Sequence, residues 1–153
     1  MNVDSKKVRK YDFSTGKYTL LTTLDKGRAG HGCTAYELDG TRYLVVVGGH
    51  DDKNIATDNV IQYNFDSNEW ESFKPYPFPI VRPTVLVQQV KGNFGKKQIY
   101  VFGGYYDYYS YKVSDIYFMS PNKNTNNWKH LGAMSRTGAQ PLVVPYTNKI
   151  IMK

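Results

Sequence analysis

Two apolar runs in this chain each end in a pair of glycines: Tyr43-Leu44-Val45-Val46-Val47-Gly48-Gly49 and Gln98-Ile99-Tyr100-Val101-Phe102-Gly103-Gly104. The pairs stand 55 residues apart. A period of that size marks a chain assembled from supersecondary units, none of which can bury its apolar face alone. Three arginines, Arg28, Arg82 and Arg136, stand 54 residues apart, and each opens a stretch that rises into an apolar strand. Downstream of each glycine pair, an Asp/Asn/Ser start leads through a short apolar strand to a tryptophan: Asp58-Asn59-Val60-Ile61-Gln62-Tyr63 to Trp70, and Ser114-Asp115-Ile116-Tyr117 to Trp128. The N-terminal stretch repeats the second half of this unit. Tyr11 and Tyr18 are separated as Tyr63 and Trp70 are. In the later copy a turn insertion, Ser120 to Asn127, lengthens the span.

Each copy reads as four strands. The first follows the arginine (Gly32 to Glu37, Thr84 to Val90, Pro141 to Val144). The second ends in the glycine pair, the third carries the Asp/Asn-Val/Ile start, and the fourth holds the tryptophan (Glu69 to Phe73, Asn127 to Leu131). Leu38-Asp39-Gly40 and Lys91-Gly92-Asn93-Phe94-Gly95 supply hairpin turns. Pro75, Pro77, Pro79 and Pro83 fall between copies, where no ladder hydrogen bond is lost. An apolar run without alternation is a strand buried on both faces, as in a sheet stacked between sheets. A glycine after it lets the backbone turn where a Cβ would clash. Large aromatics supply contact area between neighbouring sheets.

These features resemble the kelch repeat family, whose unit of roughly 50 residues has an apolar run, a Gly pair and then a Tyr six residues from a Trp. Gly48, Gly49, Tyr63 and Trp70 carry the resemblance in the better copy. Gly103, Gly104 and Trp128 carry it in the next, where Met119 takes the Tyr place; Tyr18 takes the Trp place in the first half-copy. The resemblance covers nearly the whole chain. It implies an all-β fold, a segment of a kelch-type β-propeller made of four-stranded antiparallel blades. The expected division is strands three and four of a preceding blade over 1–27, blades over 28–81 and 82–135, and the first strands of a further blade over 136–153. A closed propeller takes about four to eight blades, so the ring is incomplete. Either the sequence is a piece of a longer propeller, which is the expectation, or the chain completes a ring by self-association.

Composition narrows the classes. Hydrophobic residues at 41% and charged residues at 22% exclude a disordered tail. No apolar stretch approaches the roughly 20 residues of a spanning helix. The single cysteine, Cys33, rules out an intrachain disulfide, and it is expected to be a small buried hydrophobe. Met1 to Lys10 lacks the apolar centre of a secretory signal, and no Asn-X-Ser/Thr occurs. The expectation is an intracellular chain, cytoplasmic rather than nuclear. The net charge of +7 comes from scattered lysines without a stripe, which points to a solvated surface rather than to nucleic acid.

The resemblance places the binding surface in loops at one end of the blades. Here those loops are Leu24 to His31, His50 to Asp58, Phe73 to Arg82, Tyr105 to Lys112 and Leu131 to Arg136. Arg28, Arg82 and Arg136 fall where kelch proteins often carry arginine. They either clamp an acidic partner or bond backbone carbonyls of their own repeat. Tyr105, Tyr106, Tyr108, Tyr109 and Tyr111 crowd seven positions after a buried strand. Tyrosine gives large contact area at low entropic cost. Tyr105, Tyr106, Tyr108 and Tyr109, with His50, join the arginines as candidate partner-binding residues. The three histidines, His31, His50 and His130, show no metal-ligand spacing, so no metal and no cofactor is expected. No nucleophile motif or phosphate loop is present. The reading is a non-catalytic kelch-repeat module that binds a protein partner, as a substrate receptor or scaffold adaptor. The alternatives are a galactose-oxidase-like or carbohydrate-binding propeller, marked by copper and a Cys33 requirement, and a basic nucleic-acid binder, marked by steep salt dependence.

Overall fold

A computed structural model describes residues 6–51, 53–90, 96–106, 111–121, 127–135, 143–146 and 149–152, the last two segments as backbone only. The chain begins with a hairpin of β1 (Lys7–Asp12) and β2 (Lys17–Thr23). β3 (Gly32–Leu38), β4 (Thr41–Val47), β5 (Val60–Asn64) and β6 (Glu69–Ser72) pair in chain order as one four-stranded antiparallel sheet. A short strand β7 (Ile80–Val81) follows, then β8 (Thr84–Gln89) and β9 (Lys97–Phe102). After β10 (Tyr105–Tyr106) and β11 (Tyr111–Lys112) come β12 (Asp115–Met119) and β13 (Lys129–Ala133). β8, β9, β12 and β13 form the second four-stranded sheet, also antiparallel. β14 (Val143–Tyr146) and β15 (Lys149–Met152) close the chain as a hairpin. No helix occurs among the described residues. The architecture is all-β, in units of four antiparallel strands.

Register shows which positions are equivalent, because a slip of one residue would reverse every side chain. Val47 faces Gly32 on one side and Val60 on the other. Phe102 faces Thr84 and Ile116. Tyr63 pairs with Trp70 and Tyr11 with Tyr18, as their equal separations predict. Met119, opposite Ile99, stands where Tyr63 stands opposite Leu44. The ends of the fourth strands share a hydrogen bond. The N–H groups of Leu24, Tyr76 and Met134 donate to the carbonyls of Lys6, Asp58 and Ser114 at 2.8, 2.7 and 2.8 Å. The turns before those strands repeat as well: Asp12 and Asn64 each cap two N–H groups of their turn through Oδ1.

These equivalences correct the reading of the arginines. Leu24 matches Tyr76 and Gly32 matches Thr84, so Arg28 matches Ile80 and Arg82 matches Gly30. Both Gly30 (φ 61°) and Arg82 (φ 55°) hold the left-handed conformation that this turn requires. Loops of unequal length separate equivalent strands, so an exact interval of 54 residues does not pick out one position. Arg136 lies outside the described residues. Smaller corrections concern strand ends. The fourth strand of the second sheet is Lys129–Ala133 rather than 127–131, with a bulge that passes over Leu131. The last first-strand runs Val143–Tyr146, and β3, β6 and β8 each differ by one residue from the expected span.

The core lies between the two four-stranded sheets. Tyr36, Val45, Val47, Val60 and Phe73 from the first meet Val85, Ile99, Val101 and Met119 from the second, with Tyr76 and Ile80 of the connecting segment between them. Val45, Val46 and Val47 are all buried, so β4 is covered on both faces. Gln62 lies in this core, where its Oε1 accepts the hydroxyl proton of Tyr36. The β1–β2 hairpin meets the first sheet at its β6 side. Farther along the same face β3 is uncovered, and Cys33 is exposed there rather than buried.

The glycine pairs are the joints of this packing. Gly48 (φ 63°) and Gly49 (φ 95°) lie in the left-handed region. A Cβ on Gly48 would stand 2.2 Å from the carbonyl oxygen of Ile80, and one on Gly49 would stand 2.9 Å from that of Ala29. Gly104 repeats this against Val81, at 2.8 Å. Only glycine meets both demands, on conformation and on space.

Candidate partner-binding face

Beyond each glycine pair the chain adds a small three-membered cap. In the first repeat isolated bridges join Ala29 to His50 and His50 to Ala56. In the second, β7, β10 and β11 pair Val81 with Tyr105 and Tyr105 with Lys112. His50 and Tyr105 are therefore equivalent, each the first residue after its glycine pair. The expected loops converge here, and the segment from Tyr105 contains β10 and β11 rather than irregular chain throughout.

The candidate residues fall into distinct environments. His50 is 8% exposed, enclosed between Ala29 and Ala56 with Nδ1 3.2 Å from the Asp51 carbonyl, so it is not presented at the surface. Arg28 faces its own repeat. One Nη donates to the carbonyls of Gly48 (3.3 Å) and Asn59 (3.2 Å), and the other to Asn59 Oδ1 (2.8 Å). That is the backbone-bonding alternative of the two open for this residue. Arg82 is exposed, and its N–H donates to the Gly30 carbonyl at 2.6 Å. Tyr106 and Tyr111 pair across the cap, 44% and 71% exposed, with Tyr106 resting on Phe78 at 5.7 Å; Tyr105 is half-buried. Tyr108 and Tyr109 lie outside the described residues. His31 places an unpartnered Nδ1 out of solvent. Burial, and then the Arg28 charge beside it, lower its pKa and favour the neutral ring.

Both tryptophans lie at the seam between successive units, half-buried. Trp70 packs on Tyr63 at 5.1 Å, and its indole N–H donates to Thr22 Oγ1 at 3.3 Å. The Trp128 indole N–H donates to the Lys74 carbonyl at 3.2 Å, the position equivalent to Thr22. Below the cap of the first repeat, a cavity of about 200 Å³ is lined by Leu24, Asp25, Lys26, Arg28, Asn59, Ile61 and Trp70. A second, of about 190 Å³, shares Lys26, Arg28 and Asn59 with it. Of this lining, sequence reasoning named the loop from Leu24 and Arg28 within it, and missed that Asn59, Ile61 and Trp70 face them. Asn59 was visible only as the start of a strand, and nothing in the sequence brings Leu24 to Trp70. Among the described residues no three His, Cys, Asp or Glu side chains come together as a metal-holding group. No helix there is long and apolar enough to cross a membrane.

Residues 41–75 match the Kelch motif. They run from the start of β4 to just past β6 and hold Gly48, Gly49, Tyr63 and Trp70. No curated protein matches the chain closely enough to count as a relative. Kelch repeats typically mediate protein interactions. The matched motif folds as one four-stranded antiparallel sheet, and its register recurs in the next, which is the architecture of a kelch-type propeller segment.

Proposed function

We propose that the chain binds a protein partner through the caps beyond its glycine pairs, as an adaptor or substrate receptor. The observation that carries this reading is the second cap. It holds Tyr106 and Tyr111 side by side, the first partly and the second largely exposed, on a short sheet that follows the glycine pair. Exposed aromatics on a fixed scaffold are what interface anchors are made of. Arg82, at the turn into β8, adds a cation beside the same cap. Arg28 and His50 serve the caps from within, by holding their backbone.

A photo-crosslinking amino acid tests the face directly. Placed at Tyr106 or Tyr111 in cells, p-benzoylphenylalanine is expected to give a discrete crosslinked species. Placed at Asp39, in the β3–β4 turn at the opposite end of the sheet, it is expected to give none. Crosslinks from Asp39 alone, or from no position, would overturn the assignment.

A further inference from the structure

The first and second repeats fill one equivalent space differently. In the second, the connecting segment lays Tyr76 and Phe78 over β12 and β13. Tyr76 packs 5.0 Å from Trp128, 5.4 Å from Tyr117 and 5.0 Å from Phe78, and Phe78 packs 5.9 Å from Tyr117. In the first, register places Leu24 for Tyr76, Lys26 for Phe78, Arg28 for Ile80, Asn59 for Asp115, Ile61 for Tyr117 and Trp70 for Trp128. Those six residues line the cavity of about 200 Å³ described above. The space that two aromatic rings occupy in one repeat is open in the other.

From this juxtaposition we infer that the Leu24–Trp70 cavity is a binding site for a tyrosine side chain of the partner. The inference rests on the protein-binding reading and names the side chain that reading leaves open. The second repeat shows which group fits: a phenol, edge-on to the indole and in contact with the residue at the Ile61 position. Two features favour tyrosine over an aliphatic group. The wall opposite Leu24 is an indole, which aromatic rings meet in tilted or perpendicular geometry with an added attraction. The polar margin is formed by Asp25, Lys26, Arg28 and Asn59, and the three acceptors that Arg28 meets do not exhaust the five N–H donors of a guanidinium. A phenolic oxygen seated there meets donors, whereas the hydroxyl of Tyr76 has no partner among the described residues.

The test is a titration of the whole chain with N-acetyl-tyrosinamide, followed through the indole N–H signals of its two tryptophans, with N-acetyl-leucinamide as control. The tyrosine probe is expected to shift the Trp70 signal in a saturable way and to leave Trp128 in place. Leu24→Tyr supplies the ring from within and is expected to weaken probe binding at least about ten-fold, which corresponds to 1.4 kcal/mol. Tyr76→Leu opens the second space and is expected to make the Trp128 signal respond. An unmoved Trp70 signal in the unmodified chain, equal response to the leucine probe, or undiminished binding in Leu24→Tyr would each overturn the inference. The titration reads the cavity without a partner. The crosslinking at Tyr106 reads the partner without the cavity, so either can fail alone.

Discussion

The two repeats are identical at their joints and different in their filling. In both, the second glycine of the pair is pressed against a carbonyl of the segment that leads into the sheet, and both send an indole N–H back to the preceding unit. The segment that crosses the first repeat offers Leu24 and Lys26, whereas the one that crosses the second offers Tyr76 and Phe78. What recurs is set by backbone conformation and close approach, which tolerate no variation. What differs is side-chain volume, which the rest of the structure absorbs as a cavity or a cluster.

Substitutions that break the shared part are expected to have the largest effects. Gly48→Ala brings a Cβ against the Ile80 carbonyl in a left-handed backbone and is expected to cost at least about 3 kcal/mol in urea unfolding, or to prevent folding. Gly40→Ala, with φ of 81° and no atom within 4 Å, is expected to cost only about 1 kcal/mol. Similar losses at the two sites would mean that conformation alone makes the joint.

The tryptophans sharpen the contrast. Trp128→Ala removes the wall of an aromatic cluster and is expected to cost about 3 kcal/mol; Trp70→Ala, beside an existing cavity, should cost about 2. Equal or reversed costs, again by urea unfolding, would show that the filling does not matter. Tyr76→Phe deletes a buried hydroxyl without a partner among the described residues, and its melting curve should show a gain of about 1 kcal/mol. A loss of that size would mean that the hydroxyl is bonded. The smallest effect is expected at the turn where Gly30 and Arg82 correspond. Arg82→Gly should be neutral to stabilising by about 0.5 kcal/mol, because glycine adopts the positive φ without strain. A larger loss would show that the arginine side chain itself braces the cap.

Much of this was legible from residue types. The glycine pairs and the two tryptophan strands fixed the repeat, and the Tyr11–Tyr18 separation identified the N-terminal hairpin because its turn has the length of the one after Tyr63, with Asp12 capping where Asn64 does. The arginine spacing misled, since Arg28 and Arg82 occupy different positions of the repeat although the interval between them is close to its length. Cys33 misled for another reason: a first-strand position is buried only where a neighbouring sheet reaches it, and the hairpin before it covers the other side. Tyr105, Tyr106 and Tyr111 carry no strand signal in the sequence, since two-residue strands have no periodicity. The Leu24–Trp70 cavity joins segments far apart in sequence, and no local pattern announces a space that is left unfilled.

The close approach at Gly48 also governs geometry at larger scale. There the chain just past β4 meets the main chain of the connecting segment, and the glycine has no side chain of its own to adjust the distance. At the far end of the same interface, the ammonium of Lys97 reaches the carbonyl of Glu37 on a long, adjustable stem. One end of the seam is a fixed pivot and the other a compliant tether. The approach of the first sheet to the connecting segment is then a property of the backbone. Drift in the core residues can raise or lower stability while that approach stays constant.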